Sequence, residues 1–173
     1  IVVFSLSWSM AQKAASAEIT AGLKEVLTVE EKGVFDYFPQ QDLFGEKITY
    51  DKKLYLVDVW ATWCPPCRMT VPELVALQEQ LGAKDFSVIG LSVDKTEAPL
   101  KPFIKDYKIN YPVAMAGDTL KYLPAVRGIP TMFLIDSEGS INKMYVGYTT
   151  KEVIKKDIDK FINELYNMKK TFK

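Results

Sequence analysis

The run Leu54-Tyr55-Leu56-Val57-Asp58-Val59-Trp60 leads, after three residues, into Cys64-Pro65-Pro66-Cys67, and this junction constrains the fold more than any other part of the chain. A short apolar run rich in β-branched and aromatic side chains reads as a buried central strand. Beyond the cysteines, Leu74, Leu77 and Leu81 step at helical spacing until Gly82, a natural stop. Pro72 falls inside that helix and is expected to kink it. The junction is therefore a strand feeding a helix, with a cysteine pair at the joint. Asp58 interrupts the strand, and a carboxylate in such a run is costly enough to call for a reason.

Spacing and position give the cysteine pair its chemistry. Two intervening residues allow the sulfurs to close a disulfide within the first helical turn. The helix start offers unpaired backbone N–H groups and a partial positive charge, which favour a thiolate on Cys64. A thiolate is the species that attacks a disulfide. Pro65 and Pro66 lack N–H groups and hold fixed torsions, so the turn is stiff. The pattern reads as a redox switch. Two other readings stand beside it: inert buried cysteines, or half of a metal site shared between chains.

Composition removes whole classes of function. The chain contains no histidine and only two cysteines among its 173 residues. One chain therefore lacks the ligands for a four-ligand cysteine/histidine zinc site. Histidine-ligated haem, Ser-His-Asp catalysis and Cys-His catalysis fall for the same reason. Basic and acidic residues balance at 22 each, and all the basic ones except Arg68 and Arg127 are lysines spread along the chain. That distribution gives no field for nucleic acid. A hydrophobic content of 48% suits one sizeable core.

Ile1 to Met10 is apolar apart from serines, and Ala15-Ser16-Ala17 fits a small-x-small cleavage pattern. Residues 1–17 read either as the remnant of a secretory signal or anchor, or as part of a plain N-terminal helix. Ile19, Leu23, Val26 and Leu27 suggest a short amphipathic helix ending near Gly33. Residues 1–33 thus form an extension and 34–173 the main domain. Val34 to Tyr50 suits two short strands joined by a turn. Further strands are expected at Phe86–Val93, Thr131–Ile135 and Ile141–Val146, the last two as a hairpin around Asp136-Ser137-Glu138-Gly139. Between them, a helix is expected from about Glu97 to Tyr107 and a helical stretch near Asp118–Leu123. Ile154, Ile158, Phe161, Leu165 and Met168 make one apolar stripe on a final helix, read as packing against the sheet. The order βαβα followed by ββα indicates an α/β fold with a mixed sheet flanked by helices.

The segment from Val57 through Asp58, Trp60, Trp63, Cys64 and Cys67 to Arg68, with Pro72 beyond it, resembles the active-site segment of the thioredoxin superfamily. Val126-Arg127-Gly128-Ile129-Pro130-Thr131 resembles the stretch carrying that family's cis-proline, and Val146-Gly147 resembles its last-strand glycine. The segment before the first core strand, the long stretch between Cys67 and Pro130, and Pro65-Pro66-Cys67-Arg68 followed by Pro72-Glu73-Leu74 are most similar to the TlpA/ResA/CcmG branch of thiol–disulfide oxidoreductases. Two departures stand out. Thr70 occupies a position where many members carry glutamate. Asp58 matches thioredoxin, whose accompanying lysine would fall at about Gly90.

The resemblance implies a thioredoxin fold with an N-terminal extension and a central insertion around Glu97–Leu123. It implies that Cys64 reacts with the partner and that Cys67, the more shielded sulfur, resolves the mixed disulfide. Asp58 is the candidate proton acceptor and donor for Cys67, the other reading being a structural hydrogen bond. Ile129-Pro130 is expected to be cis, presenting the Ile129 backbone beside Cys64. Trp63, Pro65, Pro66, Ile129, Pro130 and Thr131 are the expected substrate-binding residues, with Trp60 in the core. Arg68 and Glu73 are read as local-field or ordinary surface charges. No metal and no cofactor beyond the disulfide is expected. The implied partners are protein thiols and disulfides and a membrane thiol donor, with the protein a monomer acting outside the cytoplasm, in cytochrome c maturation or in thiol rescue. A cytosolic tryparedoxin- or nucleoredoxin-like reductase is the alternative within the class. A thiol-based metal or haem handler is the alternative outside it. Pro65-Pro66, with no histidine between the cysteines, leans toward a reductant.

Overall fold

The computed structural model describes residues 33–171, apart from Ala125 and the side chains of 165–166 and 168–171. The expected signal or anchor and the helix through Leu27 lie outside the described residues. The sheet is built from β1 (Leu54–Trp60), β2 (Phe86–Ser92), β3 (Val113–Met115), β4 (Thr131–Asp136) and β5 (Ile141–Val146), in the order β3-β2-β1-β4-β5. β1 pairs in parallel with β2, and β2 with β3, while the β1–β4 and β4–β5 pairs are antiparallel. The sheet is mixed and flanked by helices, the architecture of the thioredoxin fold. As its apolar run required, β1 is buried along its whole length at the centre of the sheet.

Alternation along β1 divides the core in two. Leu54, Leu56 and Trp60 face the long helices α1 (Pro65–Leu81) and α3 (Lys151–Thr171), packing with Leu74, Leu77, Leu81, Ile154 and Ile158. Tyr55, Val57 and Val59 face the other way, onto Phe38, Ile48, Ile89, Leu91, Phe133 and Ile135. Each of these fully buried side chains contributes about 1.5–3 kcal/mol by leaving water. Asp58 shares the parity of Leu56 and Trp60, so it points to the side of α1.

Pro65 and Pro66 open α1, where a missing N–H costs nothing. The helix runs through Pro72, which removes the bond to the Arg68 carbonyl. Glu73, one residue on, fastens α1 to α3: its carboxylate accepts from the Lys151 N–H at 3.1 Å and the Tyr148 hydroxyl at 3.3 Å. A side chain from one helix therefore caps another. Glu73→Ala should cost about 1 kcal/mol, read as a lower urea midpoint with an unchanged slope. Arg68 is likewise committed. Its Nε donates to the Tyr107 hydroxyl at 2.9 Å, with Tyr107 and Phe103 stacked at 4.0 Å. That contact ties the insertion helix α2 (Leu100–Asp106) to the start of α1.

Two expectations need correction. Val34–Tyr50 is not a two-stranded unit: Val34–Tyr37 coils into a 3-10 turn, and only Gln41 and Lys47 form an antiparallel bridge. The reason is packing. Phe35 lies 4.8 Å from both Tyr50 and Tyr55 and 5.4 Å from Phe38, so these rings gather in one cluster instead of alternating across a strand. The insertion helix is also shorter than expected, starting at Leu100, whereas the helical stretch expected near Asp118–Leu123 is present as a 3-10 helix over Gly117–Tyr122. The β4–β5 hairpin forms as expected. Asp136 Oδ1 accepts from the Glu138 and Ser140 N–H groups, and Gly139 takes the positive φ of +86° that the turn requires. No helix among the described residues is long and apolar enough to cross a membrane.

Candidate active site

Cys64 stands at the N-cap of α1 and is joined to Cys67 by a disulfide, with Cα atoms 5.2 Å apart. The Cys67 N–H donates to Cys64 Sγ at 3.2 Å. That bond satisfies one of the orphan donors of the helix start and would favour negative charge on the same sulfur once the disulfide opens. Cys64 retains 3% exposure and Cys67 none, so a visiting disulfide meets residue 64 first. Trp63 is 64% exposed beside the pair, whereas Trp60 is fully buried.

The Ile129–Pro130 peptide is cis. The Ile129 carbonyl oxygen lies 3.6 Å from Cys64 Sγ, bringing residues far apart in sequence face to face. Pro130 is locked from behind, because its carbonyl accepts from the Gly147 N–H at 2.8 Å. Thr131 is buried and donates its hydroxyl to the Gly128 carbonyl at 2.6 Å. A shallow depression of about 290 Å³ runs between Trp63 and Ile129 over Val93, Leu120 and Val126. The arrangement offers one accessible sulfur, one shielded sulfur, and a stretch of main chain alongside.

Comparison with known proteins agrees with this geometry. The Redoxin family profile matches residues 42–162. The chain belongs to the Redoxin family. This Redoxin-family chain is 34% identical to the thiol–disulfide oxidoreductase ResA of Bacillus cereus over 119 residues, 66% of this chain and 69% of that protein. It resembles the crystal structure of a thiol:disulfide interchange protein of the thioredoxin family from Chlorobium tepidum, with TM-score 0.59, 32% identity, and coverage of 65% of this chain and 83% of the other. The structure of StoA from Bacillus subtilis gives TM-score 0.61 at 25% identity, covering 69% of this chain and 93% of StoA. Together with the paired cysteines, these similarities make the chain a TlpA/ResA-like thiol–disulfide oxidoreductase of the thioredoxin superfamily.

Within this Redoxin-family site, Asp58 is fully buried, and neither of its oxygens has a hydrogen-bond partner among the described residues. Burial pushes its carboxyl from the ordinary 3.8 to about 8. Thr70 is buried and donates its hydroxyl to the Pro66 carbonyl at 3.1 Å.

Asp94 is a residue the sequence reading missed. Its carboxylate accepts from the Thr62 N–H at 2.9 Å, the Thr62 hydroxyl at 2.7 Å and the Ser92 hydroxyl at 2.8 Å. It thereby anchors the loop that delivers Trp63 and Cys64. The Ser92-Val93-Asp94 pattern at the strand end was the available signal. Asp94→Ala leaves these donors unpaired and should destabilise the fold by about 1–3 kcal/mol in urea unfolding.

Proposed function

We propose that this thiol–disulfide oxidoreductase reduces protein disulfides outside the cytoplasm, is recharged by a membrane thiol donor, and serves cytochrome c maturation or thiol rescue. The observation that carries the reading is the Cys64–Cys67 disulfide at a helix N-terminus, facing the main chain of Ile129. The similarity to ResA and the apolar N-terminal segment support the compartment.

The steps follow from the placement of the groups. In the reduced protein the Cys64 thiolate attacks one sulfur of the client disulfide. A mixed disulfide forms, and the other client sulfur leaves as a thiolate that takes up a proton. Asp58, on the same side of the sheet as α1, then accepts the proton of Cys67. The Cys67 thiolate attacks Cys64, releasing the second client sulfur and closing the Cys64–Cys67 disulfide. Two electrons have passed to the client, and the donor must return two. The Ile129 main chain holds an extended client segment by backbone pairing, which gives affinity with little side-chain selection. Trp63, Pro65 and Pro66 form the rim against which that segment lies.

Insulin reduction with a dithiol donor tests the chemistry. Catalysed turnover is expected, and stoichiometric metal or haem uptake without turnover would overturn it. Fractionation of the native protein tests the compartment, and recovery in the cytosol would replace this reading with a cytosolic reductase. Equilibrium against glutathione decides direction. Potentials on this fold span about −270 to −120 mV, a difference on the order of 7 kcal/mol for two electrons.

A further inference from the structure

Four buried side-chain atoms lack a hydrogen-bond partner among the described residues: both oxygens of Asp58, the Trp60 indole nitrogen Nε1 and the Tyr111 hydroxyl. They share one place. Asp58 and Trp60 project from the same face of β1, and Tyr111 belongs to the same buried cluster as Trp60 and the two cysteines. Gly90 is the register partner of Asp58 on β2. A Cβ placed on Gly90 would lie 3.0 Å from Trp60 Nε1 and 3.4 Å from Tyr111 Cε2, so the indole and the phenol close over this residue. Independent packing defects would be scattered through the core, and each would cost about 1–3 kcal/mol. Four at one spot, with complementary chemistry, describe a site.

We propose that Asp58, Trp60 and Tyr111 hold one internal water on the α1 side of the sheet, and that Trp60 and Tyr111 act through it to set the proton affinity of Asp58. The valences match. Trp60 offers only a donor, the Tyr111 hydroxyl offers a donor, and an ionised Asp58 offers only acceptors. A water accepts two hydrogen bonds and donates two, so it takes the indole and phenol protons and gives its own to the carboxylate. Buried waters ordinarily make two to four such bonds. Tyr111 remains protonated throughout, because burial, and then the Asp58 charge, hold its hydroxyl well above the ordinary tyrosine range. Both donors favour the charged carboxylate and so oppose the effect of burial.

Among the described residues, few other titrating groups face the site. The cysteines on α1 do not titrate while joined. Met132, the register partner of Asp58 on β4, carries no charge. Arg68 and Tyr107 are paired with each other at the outer end of α2. Tyr145 on β5 is bonded to Asp157 of α3, two strands from β1 toward the opposite edge from β3.

The inference rests on the proton role of Asp58 only for its consequence in turnover, so the decisive experiment uses the oxidised protein. Carboxyl-labelled aspartate reports the Asp58 titration by NMR, and the indole N–H of Trp60 reports from the opposite side of the water. Tyr111→Phe, which keeps the ring and removes the hydroxyl, is expected to raise the Asp58 midpoint by about one pH unit. The Trp60 indole resonance is expected to move with the wild-type Asp58 midpoint and to stop moving in Asp58→Asn. An unchanged midpoint in folded Tyr111→Phe overturns the proposal, as does an indole resonance indifferent to Asp58. If the midpoint shifts while Asp58→Asn leaves the pH profile of turnover intact, the water site stands and the proton role of Asp58 falls.

Discussion

Cys67→Ser is expected to bring disulfide reduction down to background and to leave the protein covalently joined to its client through Cys64. The first step needs only the sulfur at the N-cap, which keeps its hydrogen bond from the residue 67 main chain at 3.2 Å and its place at the positive end of α1. The second step needs the buried sulfur, which serine does not supply. A non-reducing gel should therefore show a mixed disulfide that disappears with dithiothreitol. Cys64→Ser should give neither turnover nor adduct, because the remaining sulfur has no exposed surface. Trapping by Cys64→Ser and not by Cys67→Ser would reverse the assigned roles.

The second large effect concerns pH. A carboxyl that binds its proton more tightly when folded stabilises the native state at low pH, and this contribution is lost as pH rises. Asp58 moves from 3.8 to about 8 on folding, so its penalty grows across that window and levels off above it. Asp58→Asn carries no such dependence. Relative to the wild type, its unfolding free energy should rise between about pH 4 and about pH 7 by an amount on the order of 4 kcal/mol. Urea unfolding at the two pH values gives the difference directly and cancels any fixed cost of burying an amide. An equal difference at both pH values would mean that folding leaves the Asp58 titration where it stands in the unfolded chain, and would overturn the effect of burial. In the same variant, the proposed proton transfer predicts slower release of the trapped client and a flattened pH dependence for that step. A stabilised protein that resolves its intermediate poorly fits the common trade of stability against activity at catalytic positions.

The site is easier to read than the framework around it, for a physical reason. Cys64, Cys67, Pro65 and Pro66 are neighbours in sequence, and helix geometry alone fixes how they meet. Strand parity puts Asp58 on the same face of β1 as Leu54, Leu56 and Trp60, but only the packing of those residues with Leu74 and Leu77 showed that this face is the α1 side. The β4–β5 hairpin was legible because Asp136 and Gly139 impose their turn without help. Val34–Tyr50 was misread because aromatic residues with Pro39 and Gly45 suit a hairpin equally well. The choice was made by Tyr55, a strand residue further along the chain against which Phe35 packs.

Arg68 and Glu73 show the same boundary. Each looks like an ordinary helix charge, and only the approach of Tyr107 and Lys151 gives it a task. Asp94 had a signal in its place at the strand end, but its task came only with the approach of Thr62, and Tyr111 joined the site only when Gly90 and Asp58 were brought beside it. The chain by itself determined the reactive pair, its helix and the central strand, and it holds too few cysteines and histidines for a four-ligand zinc site of those residues within one chain, since these depend on residue type and short-range geometry. Tertiary structure alone decided which carbonyl faces Cys64, what steadies the Cys64 loop, and what surrounds the buried acid. Those are meetings between distant segments, set by how the two faces of the sheet are filled.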